Sequence, residues 1–479
     1  MKRPHVVVIM ADQLRHDMIT PEHTPNIAAL AEEAAVFPNA YCASPLCVPS
    51  RGAFFTGRYP NQTGCLINPW IDADRRHGYV AEGTANLYDL LADDWDRWHA
   101  GKQHLCYDPP LERRGGSAIH WATLEDTYAP ALAARGHRPP GGPRFRAIVP
   151  ELVSGRYTTA GNYSAPATGC YEPGFESFFD GHILSTALEA IDRRDRDKPF
   201  FLSAMFLAPH PPFDVPEPWY SMVRDIALPR NVGVWSSGQS PLQLYNLTGF
   251  VGSRYSRDDW REIWRVYAGL VRLLDHCVGQ LIARLKAEGI YDDTLIVFTS
   301  DHGEMLGSHC LFQKMCMYEE SIRTPIILKL PGGAAAGIRP RPVSHLDVLP
   351  TLCDLLAIPA PADLPGQSLF GTGPAGGRDI FVQYDGNGAL GSFSRAVRRG
   401  ADKLIADIFK DEIFFELYDL DNDLREERNL ITARCDVAVN LLTSLRDHMR
   451  TTGDHLRLDL DDLVRFQSER LAGDPLARH

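Results

Sequence analysis

The chain has 479 residues, which is enough for one large hydrophobic core and a smaller second one. Its net charge of −12 argues against nucleic acid as the main partner, because phosphate backbones attract basic surfaces. No run approaches the ~20 apolar residues of a membrane span, the N-terminal run Val6–Met10 is too short for a signal-peptide core, and the cysteines form no CxxC pair. We therefore expect a cytoplasmic protein without a membrane or nucleic-acid partner.

Apolar runs of strand length alternate with helical spacing along most of the chain. The run Val6–Met10 predicts a strand, and Ile27–Val36 predicts a helix with Thr24 as N-cap and Pro25 as its first residue. Two further continuous apolar runs and one long helical pattern follow, at Phe200–Leu207, Leu295–Thr299 and Trp260–Leu285. This order predicts an α/β fold whose large, mostly parallel central sheet is flanked by helices.

Two stretches interrupt the alternation. Residues 108–172 are rich in Gly, Pro, Ser and Arg and predict an irregular insertion, either a lid or a surface loop without a role. Residues 360–378 have the composition of a linker, followed by short strand-like runs and a helical pattern at Val437–Arg450. We predict a catalytic domain over 1–372 and a small α+β domain with an antiparallel sheet over 373–479.

Polar residues follow each predicted buried strand. In open α/β sheets the ligand site lies beyond the carboxyl ends of the strands, so residues from distant parts of the chain are expected to meet there. These residues are Asp12 and Gln13, Lys102 and His104, His210, and Asp301 and His302.

Asp12, Gln13, Asp301 and His302 form a plausible set of ligands for a hard cation such as Ca²⁺ or Mn²⁺. One aspartate after a strand is most often a turn or cap residue, but two adjacent pairs favour a metal site. Lys102, His104, His210 and Lys314 are candidate cations or acids, although Lys314 lies in a loop-like segment without support from a strand end; these eight residues are the first candidate site.

Cys47 lies in the segment CVPSRGAFFTG and has three interpretations: an apolar core residue, a disulfide partner, or a reactive residue. Pro49 suits the first turn of a helix, which predicts Cys47 just before a helix N-terminus. Such a position favours anions and a reactive thiol, and Arg51 would lie one turn further on. The pattern favours a reactive Cys47 in an anion-binding site.

Several motifs of the chain resemble those of the type I sulfatases, a formylglycine-dependent family of the alkaline phosphatase superfamily. The segment CVPSR followed by FFTGRYP resembles the family signature, and further agreement in order runs through MADQ, GKQHL, PHPPF, SDHGEMLG and HLDVLPTLCDLL. The resemblance covers essentially the whole chain. It implies an alkaline-phosphatase-like fold with a small C-terminal domain.

The resemblance also implies the chemistry. Cys47 would be oxidised to formylglycine by a formylglycine-generating enzyme; one hydroxyl of the hydrated aldehyde would attack sulfur, and the other would later expel sulfate. Asp12, Gln13, Asp301, His302 and residue 47 would bind one divalent metal ion. Arg51 and Lys102 would hold the formylglycine, His104 would deprotonate it, and His210 and Lys314 would contact the sulfate and the leaving oxygen, with Asn68 at the sulfate edge.

Two departures place the chain near bacterial choline sulfatases and phosphonate monoester hydrolases. Gln13 and His302 stand where many sulfatases have aspartate and asparagine, so Ca²⁺ and Mn²⁺ both remain open. Lys102 and His104, which the compared phosphonate hydrolases lack, favour a sulfatase of arylsulfatase type acting on a small sulfate ester. The alternatives are a phosphonate monoester hydrolase or phosphodiesterase and a non-catalytic binding protein. We also expect a homo-oligomer, a dimer or tetramer.

Overall fold

The structure is a computed structural model that describes residues 3–69, 77–91, 94–114, 119–153, 157–371, 377–387 and 391–473. Its strands are β1 His5–Asp12, β2 Ala35–Phe37, β3 Ala40–Tyr41, β4 Asp96–Gly101, β5 Ile119–Thr123, β6 Arg146–Val153, β7 Tyr157–Ser164, β8 Thr168–Cys170, β9 Phe200–Pro209, β10 Phe213–Val215, β11 Thr294–Ser300, β12 Ile326–Lys329, β13 Gly337–Ile338, β14 Val343–Ser344, β15 Ile380–Tyr384, β16 Ser392–Arg399, β17 Asp402–Phe409 and β18 Glu412–Asp419. Its α-helices are α1 Pro25–Glu32, α2 Cys47–Thr56, α3 Pro60–Thr63, α4 Leu87–Leu90, α5 Leu124–Ala134, α6 Phe179–Arg193, α7 Trp219–Met222, α8 Leu247–Gly252, α9 Arg257–Ala287, α10 Glu319–Ile322, α11 Val348–Leu356, α12 Cys435–Thr452 and α13 Leu460–Gly473.

The large sheet has the strand order β13-β2-β12-β11-β1-β9-β4-β5. The five strands β11, β1, β9, β4 and β5 are mutually parallel, whereas β12 pairs antiparallel with both β11 and β2. The prediction of a mostly parallel central sheet is therefore confirmed. The continuous apolar runs predicted as strands are β1, β9 and β11, whose buried side chains on both faces explain the absence of polar alternation.

Helices cover both faces of this sheet. Alternate residues of β1 point to opposite sides: Val7 and Ile9 pack in the cluster that contains α6 and α9, and Val6 and Val8 pack in the cluster that contains α2 and α11. The helix predicted over Ile27–Val36 is α1, which begins at Pro25 with Thr24 at its N-cap position. The predicted end is wrong, because α1 ends at Glu32 and Val36 lies in strand β2, whose apolar residues continue the helical spacing.

The long helical pattern predicted at Trp260–Leu285 is confirmed as α9, the longest helix in the described residues. By length and composition alone α9 is apolar enough to cross a membrane, but 67% of its apolar window is buried inside the protein. The apolar character of α9 is accounted for by its packing in the core, where it contacts α1, α6 and β9.

The prediction that residues 108–172 are irregular is wrong. This stretch contains β5, which extends the large sheet beyond β4, followed by α5, the antiparallel hairpin β6–β7 and the short strand β8. Edge and hairpin strands carry half-exposed, mixed sequences and lack the apolar run that marks a central strand. Glycines and prolines in the connecting turns then dominate the composition.

The C-terminal part contains the predicted antiparallel sheet, in the order β15-β16-β17-β18. One face of this sheet packs against α12 and α13, and the helix predicted at Val437–Arg450 is α12. The other face, with Ile380, Val382 and Ile405, joins the core of the large sheet. The predicted domain boundary at residues 372 and 373 lies outside the described residues, and the division into domains stays a prediction.

Candidate active site

Four parallel strands deliver polar residues to one edge of the sheet. Asp12 is the last residue of β1, Lys102 follows β4, His210 follows β9 and Asp301 follows β11. These strands are neighbours in the order β11-β1-β9-β4. The predicted meeting of distant polar residues at the carboxyl ends of the strands is therefore observed.

The end of β9 is shaped to present His210. The register between β9 and β1 shifts near this end, and Asp180, in the first turn of α6, accepts hydrogen bonds from the N–H groups of Leu207 (2.9 Å) and Ala208 (3.0 Å). His210 Nδ1 lies 2.5 Å from the carbonyl oxygen of Pro211. Because a carbonyl only accepts, Nδ1 carries the proton and Nε2 keeps its lone pair.

Cys47 is the first residue of α2 and is only 3% exposed. The sequence predicts Cys47 at the position just before the helix, but the helix begins at Cys47 itself. Pro49 is the third helical residue, where a backbone N–H has no partner within the helix and its absence is harmless. Asn68 caps this helix end, because its Oδ1 accepts from the N–H of Val48 at 3.2 Å. The site residue predicted at the sulfate edge thus lies at the N-terminus of α2.

Four buried side chains form a compact cluster around residue 47. One ligand-type atom from each of Asp12, Cys47, Asp301 and His302 lies within 4.8 Å of all the others. His302 Nε2 is 3.2 Å from Cys47 Sγ, 3.6 Å from Asp301 Oδ1 and 3.8 Å from Asp12 Oδ1. Two carboxylates and an imidazole at these separations can share one cation.

The orientation of these groups fits a divalent metal ion. His302 Nδ1 lies 3.0 Å from the carbonyl oxygen of Gly303 and must donate to it, so the Nε2 lone pair points into the cluster. Asp12 Oδ1 is buried and has no hydrogen-bond partner among the described residues. Burial lowers the pKa of His302, but Asp301 and Cys47 outweigh burial and raise it above its usual value. The cluster attracts positive charge.

Gln13 borders the cluster and joins three of its neighbours. Its backbone N–H donates to Asp301 Oδ1 at 3.2 Å, and its φ of 68° turns the chain sharply after β1. Its side-chain oxygen accepts from the Lys314 ammonium, and its Nε2 donates to Glu304. Gln13 and Lys314, predicted as a metal ligand and a sulfate contact, are therefore adjacent.

Arg51 donates hydrogen bonds to both aspartates of the cluster, and Lys102 donates to one of them. The Arg51 guanidinium donates from Nε to Asp301 Oδ2 at 2.9 Å and from Nη2 to Asp12 Oδ2 at 3.2 Å, and Lys102 Nζ donates to the same Asp12 oxygen. Burial and Cys47 raise the pKa of Asp12, but the lowering effect of Lys102, His210 and Arg51 is larger, so the pKa of Asp12 lies well below the usual range. Asp12 is therefore held as a carboxylate.

The surroundings of residue 47 favour an anion. Burial raises the pKa of the Cys47 thiol, but Lys102, Lys314 and His302 outweigh burial and lower it well below its usual value. His104 is hydrogen-bonded to the sulfur; burial and Lys102 lower the pKa of His104 to about 4, so its imidazole is neutral and able to accept a proton. The disulfide and inert-core interpretations of Cys47 do not fit this environment.

Three further acidic residues support the site without having been predicted. Glu304 binds Gln13, Asp180 holds the end of β9, and Glu125 Oε1 lies 3.6 Å from His104 Nε2. Glu304 lies two residues after the predicted His302, so the motif SDHGE contains a signal for it. Asp180 lies in a helix with no strand directly before it, and nothing in the sequence pattern marks it. Glu125 follows β5 by two residues, but that strand was not predicted from the sequence.

Two known families match large parts of the chain. The sulfatase family model matches residues 4–358, which include every predicted site residue. A second family model, described as N-sulphoglucosamine sulphohydrolase, C-terminal, matches residues 307–452.

Among curated proteins, the chain is 28% identical over 469 residues to a choline-sulfatase of Rhizobium meliloti (strain 1021), covering 93% of this chain and 86% of that protein. It is 26% identical over 393 residues to an arylsulfatase of Clostridium perfringens (strain 13 / Type A), covering 77% of this chain and 78% of that protein.

Among solved structures, the phosphonate monoester hydrolase of Agrobacterium radiobacter superimposes with a TM-score of 0.73 at 24% identity, covering 93% of this chain and 96% of that one. This likeness establishes the alkaline-phosphatase-like fold. The family match over most of the chain goes further, and the protein belongs to the sulfatase family.

Proposed function

We propose that the protein hydrolyses sulfate monoesters of arylsulfatase type, with a formylglycine made from Cys47 as its nucleophile. The observation that carries this proposal is the position of Cys47 in the first turn of α2, where it belongs to the cluster with Asp12, Asp301 and His302. The same residue interacts with Lys102, His104, His210 and Lys314. A side chain surrounded by these cations can present an oxygen nucleophile to an anionic ester. The Cys47 sulfur marks the place of that functional group.

One divalent metal ion, Ca²⁺ or Mn²⁺, is proposed at the cluster, held by Asp12, Gln13, Asp301, His302 and residue 47. Asp12 Oδ1 has no hydrogen-bond partner among the described residues, and the His302 Nε2 lone pair points into the cluster. Both observations support this assignment. When bound, the metal supplies positive charge that polarises the sulfate ester and favours the deprotonated nucleophile. Arg51 and Lys102 keep Asp12 charged and correctly oriented.

The protein's own residues would manage the protons. The formylglycine hydrate supplies a nucleophilic hydroxyl and a second hydroxyl whose deprotonation later releases sulfate. His104, neutral and in contact with residue 47, is placed to accept that proton. His210 and Lys314 would bind the sulfate and protonate or neutralise the departing alcohol oxygen. Asn68, which accepts from Val48 in the first turn of α2, would lie at the sulfate edge.

The second candidate function is hydrolysis of phosphonate monoesters or phosphodiesters by the same formylglycine. The structural likeness to a phosphonate monoester hydrolase favours it at the level of fold. Both kinds of substrate carry one negative charge at the reacting group, so one set of cations can serve both. Lys102 and His104, both turned towards residue 47, favour sulfate as the native group.

The test is a comparison of turnover on 4-nitrophenyl sulfate and on a 4-nitrophenyl phosphonate ester. We expect a higher kcat/KM for the sulfate, and no turnover of either by Cys47→Ala. A higher value for the phosphonate would establish the second candidate instead. Binding of sulfate esters without turnover by protein that carries formylglycine would favour a non-catalytic binding role.

We also propose the biological setting that follows from this activity. The partners would be a small sulfate ester and a formylglycine-generating enzyme that converts Cys47. Cytoplasmic location and a homo-oligomer, a dimer or tetramer, complete the proposal.

A further inference from the structure

Glu304 is a fully buried carboxylate that the proposed chemistry does not use. It follows β11 by four residues and contacts the Gln13 side chain. Its Oε1 accepts from the N–H of Leu306 at 2.8 Å and from the N–H of Gln313 at 2.6 Å, and its Oε2 accepts from Gln13 Nε2. One side chain thus joins the loop after β1 to the loop that carries Lys314.

The polarity of these hydrogen bonds is fixed by chemistry. The two backbone N–H groups fix Oε1 of Glu304 as an acceptor, and the Lys314 ammonium can only donate to Gln13, whereas a glutamine amide has one donating and one accepting end of nearly the same shape. The Gln13 end that meets Glu304 must therefore be the NH₂ group. Its oxygen is consequently turned to the opposite side, where it accepts from the Lys314 ammonium at the border of the metal-type cluster.

We propose that Glu304 is a positioning residue that orients the Gln13 amide, with its oxygen towards the metal site and Lys314. The inference rests on the proposed metal site and deepens it. An amide oxygen is a ligand for Ca²⁺ or Mn²⁺ and an acceptor for an ammonium group, whereas an amide NH₂ is neither. The two hydrogen bonds from the backbone to Oε1 hold Glu304 itself in place.

The substitution Glu304→Gln replaces one carboxylate oxygen by an NH₂ group with almost no change of shape. Its oxygen can keep the Leu306 and Gln313 N–H groups, which leaves an NH₂ group facing Gln13. The Gln13 amide then turns over and presents its own NH₂ to Lys314 and the metal site. We expect Mn²⁺ affinity, measured by isothermal titration calorimetry with Mn²⁺ alone, to fall by about 10- to 100-fold.

The double substitution Gln13→Glu with Glu304→Gln supplies the rescue. The carboxylate introduced at position 13 accepts from the NH₂ of residue 304 and offers its second oxygen to the metal and Lys314, with the same total charge as the wild type. We expect the double variant to recover most of the Mn²⁺ affinity lost in Glu304→Gln. The matched control is Asp275→Asn, at another buried carboxylate, which accepts from Asn26 and Ile27 at the start of α1, outside the site, and is expected to keep wild-type affinity.

Equal Mn²⁺ affinity of the wild type and Glu304→Gln would overturn the proposal, as would a double variant no better than the single one. Failure of the wild type to bind Mn²⁺ or Ca²⁺ would also overturn it. The proposed function fails separately: a protein that prefers phosphonate esters can still show the loss and rescue of Mn²⁺ affinity. Melting temperatures measured beside the titrations identify any variant that is unfolded.

Discussion

At the scale of single residues, the site combines buried carboxylates with buried cations in fixed hydrogen-bond geometry. Asp12 offers one oxygen to Lys102 and Arg51 and leaves the other without a partner among the described residues. A buried oxygen without a partner is costly, so its presence beside His302 Nε2 is best explained by a cation that belongs there. Lys102, Lys314, His104 and His210 then surround residue 47.

His210 provides a prediction at this scale. Because Nδ1 is held by Pro211, only Nε2 can take up a proton, and His210 must do so before it acts as a general acid on the leaving oxygen. The substitution His210→Ala is expected to lower kcat/KM for an alkyl sulfate by roughly 10²- to 10⁴-fold, the usual range for a lost general acid. The loss on 4-nitrophenyl sulfate should be smaller, since nitrophenolate leaves without a proton. Steady-state rates on the two substrates measure the difference.

The control for this prediction is His137→Ala, at an exposed histidine that contacts Ser177 and no site residue. It should leave both rates unchanged. Equal losses on both substrates in His210→Ala would show that His210 binds the sulfate but does not protonate the leaving oxygen.

Strand ends explain why so many site residues could be predicted from the sequence. Asp12, Lys102, His210 and Asp301 each follow a run of apolar residues, and parallel neighbouring strands bring such residues together. Lys314 has no such marker and was a candidate only as a cation in a loop-like segment, and Asn68 could be named only through resemblance to a family. Asp180 acts from a helix with no strand directly before it, so no local pattern reveals it. Glu125 follows β5, and it was missed because that edge strand was not predicted.

At the scale of elements, α6 and β9 act together to place His210. Asp180, in the first turn of α6, accepts two backbone N–H groups at the end of β9, while its Oδ2 is buried without a partner among the described residues. Burial raises the pKa of Asp180 to about 7, although the two hydrogen bonds oppose this shift. The irregular end of β9 is therefore held by a carboxyl group that ionises near neutral pH.

This shift predicts a pH-dependent stability. The pKa is raised above the ordinary 3.8, so the contribution of Asp180 is fully present below about pH 4 and is lost as pH rises towards 7. Asp180→Asn removes the titration and keeps an oxygen for the two N–H groups. The difference in free energy of unfolding between Asp180→Asn and wild type should shift in favour of the variant by about 2–3 kcal/mol from pH 5 to pH 8.

Chemical denaturation of both proteins at the two pH values measures this difference. Asp197→Asn, at an exposed position of the connection between α6 and β9, controls for the loss of one negative charge. A stability difference between Asp180→Asn and wild type that is the same at pH 5 and pH 8 would contradict the account.

The elements that escaped prediction share one physical property. Central strands are buried on both faces and appear as continuous apolar runs, but β5 is an edge strand and β6–β7 is a hairpin with an exposed Ile148. Their sequences are mixed, and the glycines and prolines of their turns suggested an irregular insertion. Local composition cannot reveal a pairing partner such as β4, which lies in a separate part of the sequence.

At the scale of the whole molecule, the C-terminal sheet is joined to the large sheet by buried polar contacts as well as apolar ones. Lys403 on β17 pairs with Glu319 of α10 at 3.0 Å and with Glu426, and Tyr318 donates to Glu416 of β18 at 2.7 Å. These contacts fix the segment between Lys314 and α10, because removing one member of a buried pair leaves an uncompensated charge. The small sheet thus stabilises a loop that carries part of the site.

The central claim, that residue 47 is a formylglycine, is tested most directly by the mass of the peptide that contains it. Protein from its own host should be digested and that peptide weighed by mass spectrometry. The account predicts a residue about 18 Da lighter than cysteine. A peptide that carries only an unmodified cysteine, in protein that hydrolyses sulfate esters, would contradict the claim and require another nucleophile.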